Sequence, residues 1–346
     1  MILLKSIKMI LLAYGTRPEY IKIKPLIKEL KTTKIPFKVL FTGQHENISD
    51  GEYDFKLKIL DNGNNRLNTI VSSCLNLPNE YFEGVKFVLV QGDTSSVLGL
   101  ALAASHRQIK IIHLEAGLRT YDKRNPFPEE SNRRIVSVLA DIHLCPTELN
   151  ENNLCNENIE GDMYVVGNTG LDNLVEYKKD CEYTNKILIT LHRRENHDKL
   201  FDWFVEINKL ANGYPEYEFI LPLHPNPEVQ KYRELLDDVT VIDPLNHDEL
   251  INLLVKTKLV ITDSGGLQEE CSFFNKKCLV CREETERPES LGITSFLVKK
   301  PKKLVEIFRK HIENYEEKRP SPYGDGTSSK QIIKILKKIY RNEKTI

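Results

Sequence analysis

A chain of 346 residues is too long for one hydrophobic core and suits two domains. Hydrophobic residues make up 40% and charged residues 29%, which excludes a disordered or fibrous chain. Lys and Arg (49) balance Asp and Glu (50) to a net charge of -1, so no general attraction to nucleic acid or acidic membrane exists, and any bound anion must be held by local groups.

The chain opens on the apolar run "MILLKSIKMILLAYG". Lys5 and Lys8 interrupt it and no small-residue cleavage site follows, so Met9 to Tyr14 reads as a buried first strand rather than a signal peptide. No apolar stretch reaches the ~18 residues of a membrane span. Next comes "RPEYIKIKPLIKELK", in which Ile23, Leu26, Ile27 and Leu30 form a helical stripe. Strand "FKVLFTG" follows, then strand "VKFVLVQGD", the Ala/Leu-rich helix "TSSVLGLALAASHR" and strand "IKIIHLEAG". Strand "MYVVGN" leads into a predicted helix "TGLDNLVEYKK".

A second series starts near Lys186: strand "KILITLH", helix "KLFDWFVEINKLA", strand "YEFILPLHP" and helix "NPEVQKYRELL". It continues with strand "VTVID", helix "HDELINLLVKT", strand "KLVITD" and helix "SGGLQEECSFF". Short, continuous Val/Ile/Leu strands belong to parallel sheets buried on both faces. The fold class is therefore α/β, two doubly wound Rossmann-like domains with a cleft between them. The first domain is assigned to residues 1–167 and the second to 168–330, with a terminal amphipathic helix over 331–346 packing back on the first.

Seven irregularly spaced cysteines fit a reducing cytoplasm, where the protein is expected to reside. Cys278 and Cys281 form a C-x-x-C, but side chains three apart on a strand point to opposite faces and no second pair accompanies them, so a short buried strand is preferred over a metal or redox pair. No G-x-G-x-x-G follows a predicted strand, and no P-loop, H-E-x-x-H or EF-hand pattern occurs. No resident cofactor or metal site is expected.

Ligands in such folds sit at the carboxyl ends of strands. Gly15, Thr16 and Arg17 stand at one strand-to-helix turn, and Ser264, Gly265 and Gly266 at another; free N–H groups and the helix dipole at each suit a phosphate, and the pair suits a diphosphate. Asp93 and Glu115 lie just past apolar strands. Glu129, with Glu130 beside it, follows Pro126 and Pro128 in a segment read as a stiff loop. Arg119, Arg133 and Arg134 are near enough in sequence to balance this charge. Helix caps and ion pairs are the plain alternative, but several carboxylates in one cleft can have separated pKa values and so divide acid and base work. His192 and His224 end apolar strands; such a histidine is usually structural, yet beside a diphosphate it can donate a hydrogen bond or a proton.

The stretches "GTRPEYIKIKPL", "TGQH", "QGDTSS", "HLEAGLRT", "PFPEESNRR", "LADIHLCPTE", "VVGNTGLD", "LHRREN", "DSGGLQEE", "TERPE" and "SPYGDG" resemble, in order, those of the non-hydrolysing UDP-N-acetylglucosamine 2-epimerases. The resemblance covers most of the chain from Met9 to about Ser329. It implies a glycosyltransferase-B-like fold, a homodimer and a UDP-sugar partner. It also implies elimination of UDP across C1 and C2 to a 2-acetamidoglucal and re-addition on the other face, as a step toward surface polysaccharide. By motif match, Asp93, Glu115 and Glu129 take acid/base positions. His192 and Arg17 lie near the diphosphate, with Lys22 and Arg133 in support. Ser264, Gly265 and Gly266 bind phosphate, and Glu270 takes the ribose hydroxyls. Gln44 and His45 match residues of a second, activating UDP-GlcNAc site in bacterial relatives.

Two departures stand out. "ENISDGEYDFKLKIL", after "TGQH", is shorter than in relatives, which puts activation in doubt, and Leu250 stands where some relatives have an aromatic near the uracil. The rival readings are a hydrolysing epimerase releasing UDP and N-acetylmannosamine, an epimerase of a modified UDP-sugar such as a 2,3-diacetamido uronic acid, a glycosyltransferase of similar fold, and a silent UDP-sugar-binding protein.

Overall fold

The computed structural model describes residues 8–45, 51–59, 63, 65–313 and 319–342. Lys5, residues 46–50 and 60 of the shortened segment, and the last four residues of the chain lie outside them. The chain forms two compact units, Met1–Asn173 with Gly326–Ile346, and Leu174–Asp325.

The strands of the first unit are β1 (Met9–Tyr14), β2 (Phe37–Phe41), β3 (Phe55–Lys56), β4 (Val85–Gln91), β5 (Lys110–Leu114), β6 (Ile142–Cys145) and β7 (Asp162–Val165). Among the described residues they form one sheet in the order β3-β2-β1-β4-β5-β6-β7, paired in parallel throughout. The connecting helices are α1 (Arg17–Lys31), α2 (Arg66–Leu75), α3 (Ser95–Ser105), α4 (Glu129–Leu139) and α5 (Glu148–Asn156). Both faces of the sheet are covered, which is why its strands are apolar at successive positions. Along β1, Ile10, Leu12 and Tyr14 pack with Ile23, Leu26, Ile27 and Leu30 of α1, while Leu11 and Ala13 pack with Val97, Leu100 and Ala101 of α3.

In the second unit, β8 (Lys186–Thr190), β9 (Glu218–Pro222), β10 (Thr240–Ile242), β11 (Thr257–Thr262), β12 (Lys277–Val280) and β13 (Ser295–Leu297) form a parallel sheet in the order β10-β9-β8-β11-β12-β13. Its helices are α6 (Leu200–Gly213), α7 (Pro227–Gln230), α8 (His247–Leu254), α9 (Gly265–Phe273) and α10 (Leu304–His311). Trp203 and Phe204 of α6, Phe219 of β9 and Phe308 of α10 anchor its core. Cys281 joins that core, while Cys278 lies in β12 beside the Cys271 thiol.

The last helix, α11 (Ser328–Asn342), belongs to the first unit, where Ile332, Ile333 and Leu336 join the core that α1 covers. The Asp172 carboxylate accepts the amides of Ser328 (3.0 Å) and Ser329 (2.7 Å) at its start.

Three segments differ from their sequence reading. Thr169–Asp180, expected as an α-helix, is a run of 3-10 turns. Here Asn168 accepts the Gly170 amide, Asp172 caps α11 and Asn173 donates to the Ile21 carbonyl, so three short polar side chains bind backbone instead of supporting a regular helix. The predicted helix over 226–236 breaks into α7 and a 3-10 turn at Arg233–Leu235. The segment after Pro128, read as a loop, is α4, whose buried face is mostly polar (Glu130, Asn132, Arg133 and Ser137) and so shows no apolar period.

Gly117 shows how tightly the strand-end loops pack. It has φ +87°, and a Cβ there would overlap the Asn150 carbonyl, with the carbonyl carbon 2.7 Å away. Gly117→Ala combines left-handed strain with overpacking, each worth ~1–3 kcal/mol. Urea unfolding should show a loss of about 3 kcal/mol or more; a loss under about 1 kcal/mol would contradict this packing.

Candidate active site

The first unit gathers charged side chains at the carboxyl ends of β1, β4 and β5. Asp93 follows β4, between Gly92 (φ +77°) and Thr94, whose hydroxyl caps α3. Helix α4 fixes Asp93 twice. The Arg133 guanidinium donates to its Oδ2 from Nε (2.9 Å) and Nη2 (2.5 Å), and Asn132 Nδ2 donates to its backbone carbonyl at 2.9 Å. Arg133 also meets Glu130 at 3.2 Å, and the fully buried Glu130 carboxylate accepts the amides of Thr120 (3.0 Å) and Tyr121 (3.1 Å). Glu129 opens α4 and is half-buried.

Glu115 follows β5 with φ +66°, uncommon for a residue with a side chain. Backbone strain of this kind, ~1–3 kcal/mol, is held where surroundings over-determine it. Here Glu115 and Ala116 both donate amides to the Leu144 carbonyl, at 3.1 and 3.2 Å. The carboxylate pairs with the Lys22 ammonium of α1 and accepts Gln91 Nε2 at 2.5 Å. Lys22 and Glu115 are only 19% and 10% exposed at their side chains, so the pair is shielded from water. Asp93 and Glu115 thus end neighbouring strands, each with its own cation. Arg17 is exposed at the first residue of α1. Arg119, in contrast, turns away from these carboxylates and forks onto Glu157, at 2.9 Å from both nitrogens, and Arg134 also faces Glu157, at 4.0 Å.

Gln44 and His45 are joined to the same edge. Gln44 Oε1 accepts the Ser96 amide (3.1 Å), the Gln44 carbonyl accepts Arg66 (3.0 Å), and the His45 amide donates to the Gly15 carbonyl (2.8 Å). Burial, then the Arg66 charge, lowers the His45 pKa.

Sequence reasoning overlooked Glu19. Its carboxylate is 2% exposed and accepts the Gly15 and Thr16 amides and the Thr94 hydroxyl. Burial raises its pKa to about 7, against the opposing hydrogen bonds. The signal was the S/T-x-x-E capping box in "TRPE".

In the second unit the centre is Asp263, which the sequence reading placed only as a strand end. It is fully buried past β11 and accepts the His192 amide (3.0 Å), the Arg193 amide (2.8 Å) and Asn196 Nδ2 (3.0 Å). His192 Nδ1 lies 3.7 Å from Asp263 Oδ1, and its ring stacks on His224 with centroids 5.0 Å apart. Burial lowers the His192 pKa, Asp263 pulls it up and Arg193 lowers it; the net direction is down. His192 is therefore neutral near pH 7, able to donate from one nitrogen and accept at the other.

Ser264 caps α9, and Gly265 and Gly266 begin it. A Cβ on Gly265 would stand 2.5 Å from Arg287 Nη1 and 2.9 Å from Glu286 Oε1. Beneath this turn Arg282, Arg287, Glu286 and Glu269 form a buried ion-paired quartet. Burial alone would raise the Glu286 carboxyl, but Arg287 and Arg282 hold it well below the usual carboxylate range. Glu270 lies further along α9, 3.4 Å from His247 Nε2, and Leu250 is half-buried on α8. Among the described residues no group of His, Cys, Asp and Glu has the spacing to hold a metal ion. No helix there is long and apolar enough to cross a membrane.

Comparison with known proteins adds an independent line. A family model described as UDP-N-acetylglucosamine 2-epimerase matches residues 28–337. The chain is 37% identical over 383 residues to the UDP-N-acetylglucosamine 2-epimerase of Campylobacter jejuni, covering 97% of this chain and 99% of that one. It is similar to the crystal structure of UDP-GlcNAc 2-epimerase from Neisseria meningitidis bound to UDP-GlcNAc, with TM-score 0.86, 35% identity, and coverage of 95% of this chain and 100% of that one. The Methanocaldococcus jannaschii UDP-GlcNAc 2-epimerase in complex with UDP-GlcNAc and UDP gives TM-score 0.79 at 29% identity, covering 95% and 99%.

Proposed function

This chain belongs to the UDP-N-acetylglucosamine 2-epimerase family, and on that premise we propose that it is the non-hydrolysing enzyme, interconverting UDP-N-acetylglucosamine and UDP-N-acetylmannosamine. The C2 proton has no carbonyl beside it and is not acidic in the ground state. Breaking the C1–O bond sends its electron pair to the UDP diphosphate and leaves C1 cation-like. A carboxylate then takes the C2 proton, giving 2-acetamidoglucal and UDP. Re-addition of UDP at C1, with proton return to the opposite face of C2, closes the cycle without net loss of atoms or electrons.

The observation that carries this reading is the pair of strand-end carboxylates, Asp93 on Arg133 and Glu115 on Lys22. Two carboxylates with separate cations support proton removal and return, and Glu129 completes the acid/base set. Neutral His192 and Arg17 serve the leaving diphosphate, the amides of Ser264, Gly265 and Gly266 bind phosphate, and Glu270 takes the ribose hydroxyls. Gln44 and His45 are assigned to a second UDP-sugar site. Exposed Ile135 and Val138 on α4, with Leu149 on α5, support a homodimer. The setting we assign is cytoplasmic synthesis of surface polysaccharide precursors.

The test is proton NMR of UDP-GlcNAc with purified protein in D2O, without NAD or added metal. We expect UDP-ManNAc to appear with deuterium at C2 in both epimers. UDP plus free N-acetylmannosamine would replace this reading by the hydrolysing one, and an unchanged spectrum would sink the assigned substrate.

A further inference from the structure

Glu19 has no place in the mechanism above, yet it is a buried carboxylate bonded to Thr94, the residue after Asp93. Its Oε2 accepts the amides of Gly15 and Thr16, the latter at 3.0 Å, as in an ordinary capping box. Its Oε1 does something a cap does not need: it accepts the Thr94 hydroxyl, 75 residues away in sequence, at 2.6 Å. Thr94 Oγ1 lies 3.0 Å from Ser96 Oγ, and the Ser96 amide donates to Gln44 Oε1 at 3.1 Å. One hydrogen-bonded chain therefore joins the loops after β1, β2 and β4.

We infer that Glu19 is a positioning residue for Asp93: through Thr94 it holds the turn that aims the Asp93 carboxylate, and through Ser96 it ties that turn to the Gln44 loop. The inference rests on the reading above in giving Asp93 a part in proton transfer. Thr94 is the residue after Asp93 and the cap of α3, so a shift of its hydroxyl moves the Asp93 backbone directly. Displacing a reacting group by ~1 Å can cost about a hundredfold in rate.

Ionised Glu19 accepts all three donors. Protonated Glu19 is a weaker acceptor and carries an O–H on one oxygen; a proton on Oε1 reverses the bond to Thr94. Burial raises its pKa to about 7, the Thr94, Gly15 and Thr16 hydrogen bonds oppose this, and the Asp93 charge adds to the rise. The Cys74 thiol of α2 also faces it, and burial pushes that thiol up to about 12 and keeps it neutral. The hold on Thr94 thus loosens as pH falls through about 7.

The experiment compares the full-length wild type with Glu19→Gln, Thr94→Val, Thr94→Ser and Asp93→Asn, reading kcat and KM for UDP-GlcNAc across pH and the folded fraction by circular dichroism. Glu19→Gln keeps the capping oxygen and the volume but turns an NH2 toward Thr94. We expect kcat to fall about tenfold or more in Glu19→Gln and Thr94→Val, with KM within about threefold. Thr94→Ser, which keeps the hydroxyl, should recover kcat to within about threefold. The acid limb of kcat near pH 7 should vanish in Glu19→Gln. Wild-type kcat and pH profile in Glu19→Gln, or a Thr94→Val loss that Thr94→Ser does not restore, would overturn the inference while an inactive Asp93→Asn leaves the function standing. A fully active Asp93→Asn would instead remove the function reading on which the inference rests.

Discussion

Asp93→Asn and Glu115→Gln are each expected to abolish turnover while UDP affinity stays within about tenfold, a change under ~1.4 kcal/mol. Both amides keep the shape and some hydrogen bonding of the carboxylates but cannot take a proton. Loss of a positioned acid or base costs about 10²–10⁴ in rate. Each change also removes the charge partner of a cation: Lys22 beside residue 115, and Arg133 beside residue 93, which keeps Glu130. The lost pairing acts on the same step, so the observed loss should lie toward the upper end. Apart from Arg17, the proposed UDP-binding groups (His192, Ser264, Gly265, Gly266 and Glu270) belong to the second unit, so UDP affinity should change little. Single-turnover C2 deuterium exchange by NMR and UDP binding by calorimetry check the two halves separately. Exchange at the wild-type rate in both variants would remove the elimination mechanism.

The second large effect concerns Asp263→Ala. Asp263 is fully buried, and its two oxygens collect the His192 and Arg193 amides and Asn196 Nδ2. Removing it takes the acceptor from two part-buried amides and from one N–H of Asn196, whose Nδ2 keeps the Cys281 carbonyl at 3.0 Å; each lost bond is worth ~1–3 kcal/mol unless water replaces the carboxylate. Unfolding of the second unit should need about 3 kcal/mol less free energy or more. Function should suffer as well, because these bonds fix the backbone that carries His192. A fall in kcat of about a hundredfold is expected. The His192 pKa should also drop further, since Asp263 is the group that pulls it up. Denaturant unfolding and histidine NMR titration measure these. Stability within about 1 kcal/mol of wild type together with unchanged kcat would show that His192 is held by other means.

What could be read from the sequence follows from how each feature is encoded. The fold class was legible because strands covered on both faces are apolar at successive positions, as in Ile10–Ala13 of β1, Phe87–Val90 of β4 and Ile187–Ile189 of β8, and helical patterns alternate with them. Asp93 and Glu115 were legible for the same reason, as charges directly after apolar runs. Helix α4 was not, because its inward face is a polar network built around Arg133 and Glu130, which carries no hydrophobic period. The partner of Arg119 was equally invisible: its place in the sequence suggested the group of Asp93, Glu115, Glu129 and Glu130, whereas the pairing with Glu157 depends on where α5 ends. Glu19 and Asp263 were missed because their importance comes from burial and from donors that converge on them from distant loops. The 3-10 stretch at Thr169–Asp180 has helical spacing in its apolar residues, but its polar side chains are engaged elsewhere.

The membership of α11 in the first unit has a consequence for how the protein is made. The first unit is laid down through Asn173, but its last helix is not translated until the whole of Leu174–Asp325 has been added. At ~5–20 residues per second, that is a delay on the order of ten to thirty seconds. During that interval the apolar face of α1 that meets Ile332, Ile333 and Leu336 is bare, and the Asp172 carboxylate waits for the amides of Ser328 and Ser329. The second unit, being continuous in sequence, can reach its native state first. A released chain ending at Asp325 would hold every residue of the second unit but only part of the first.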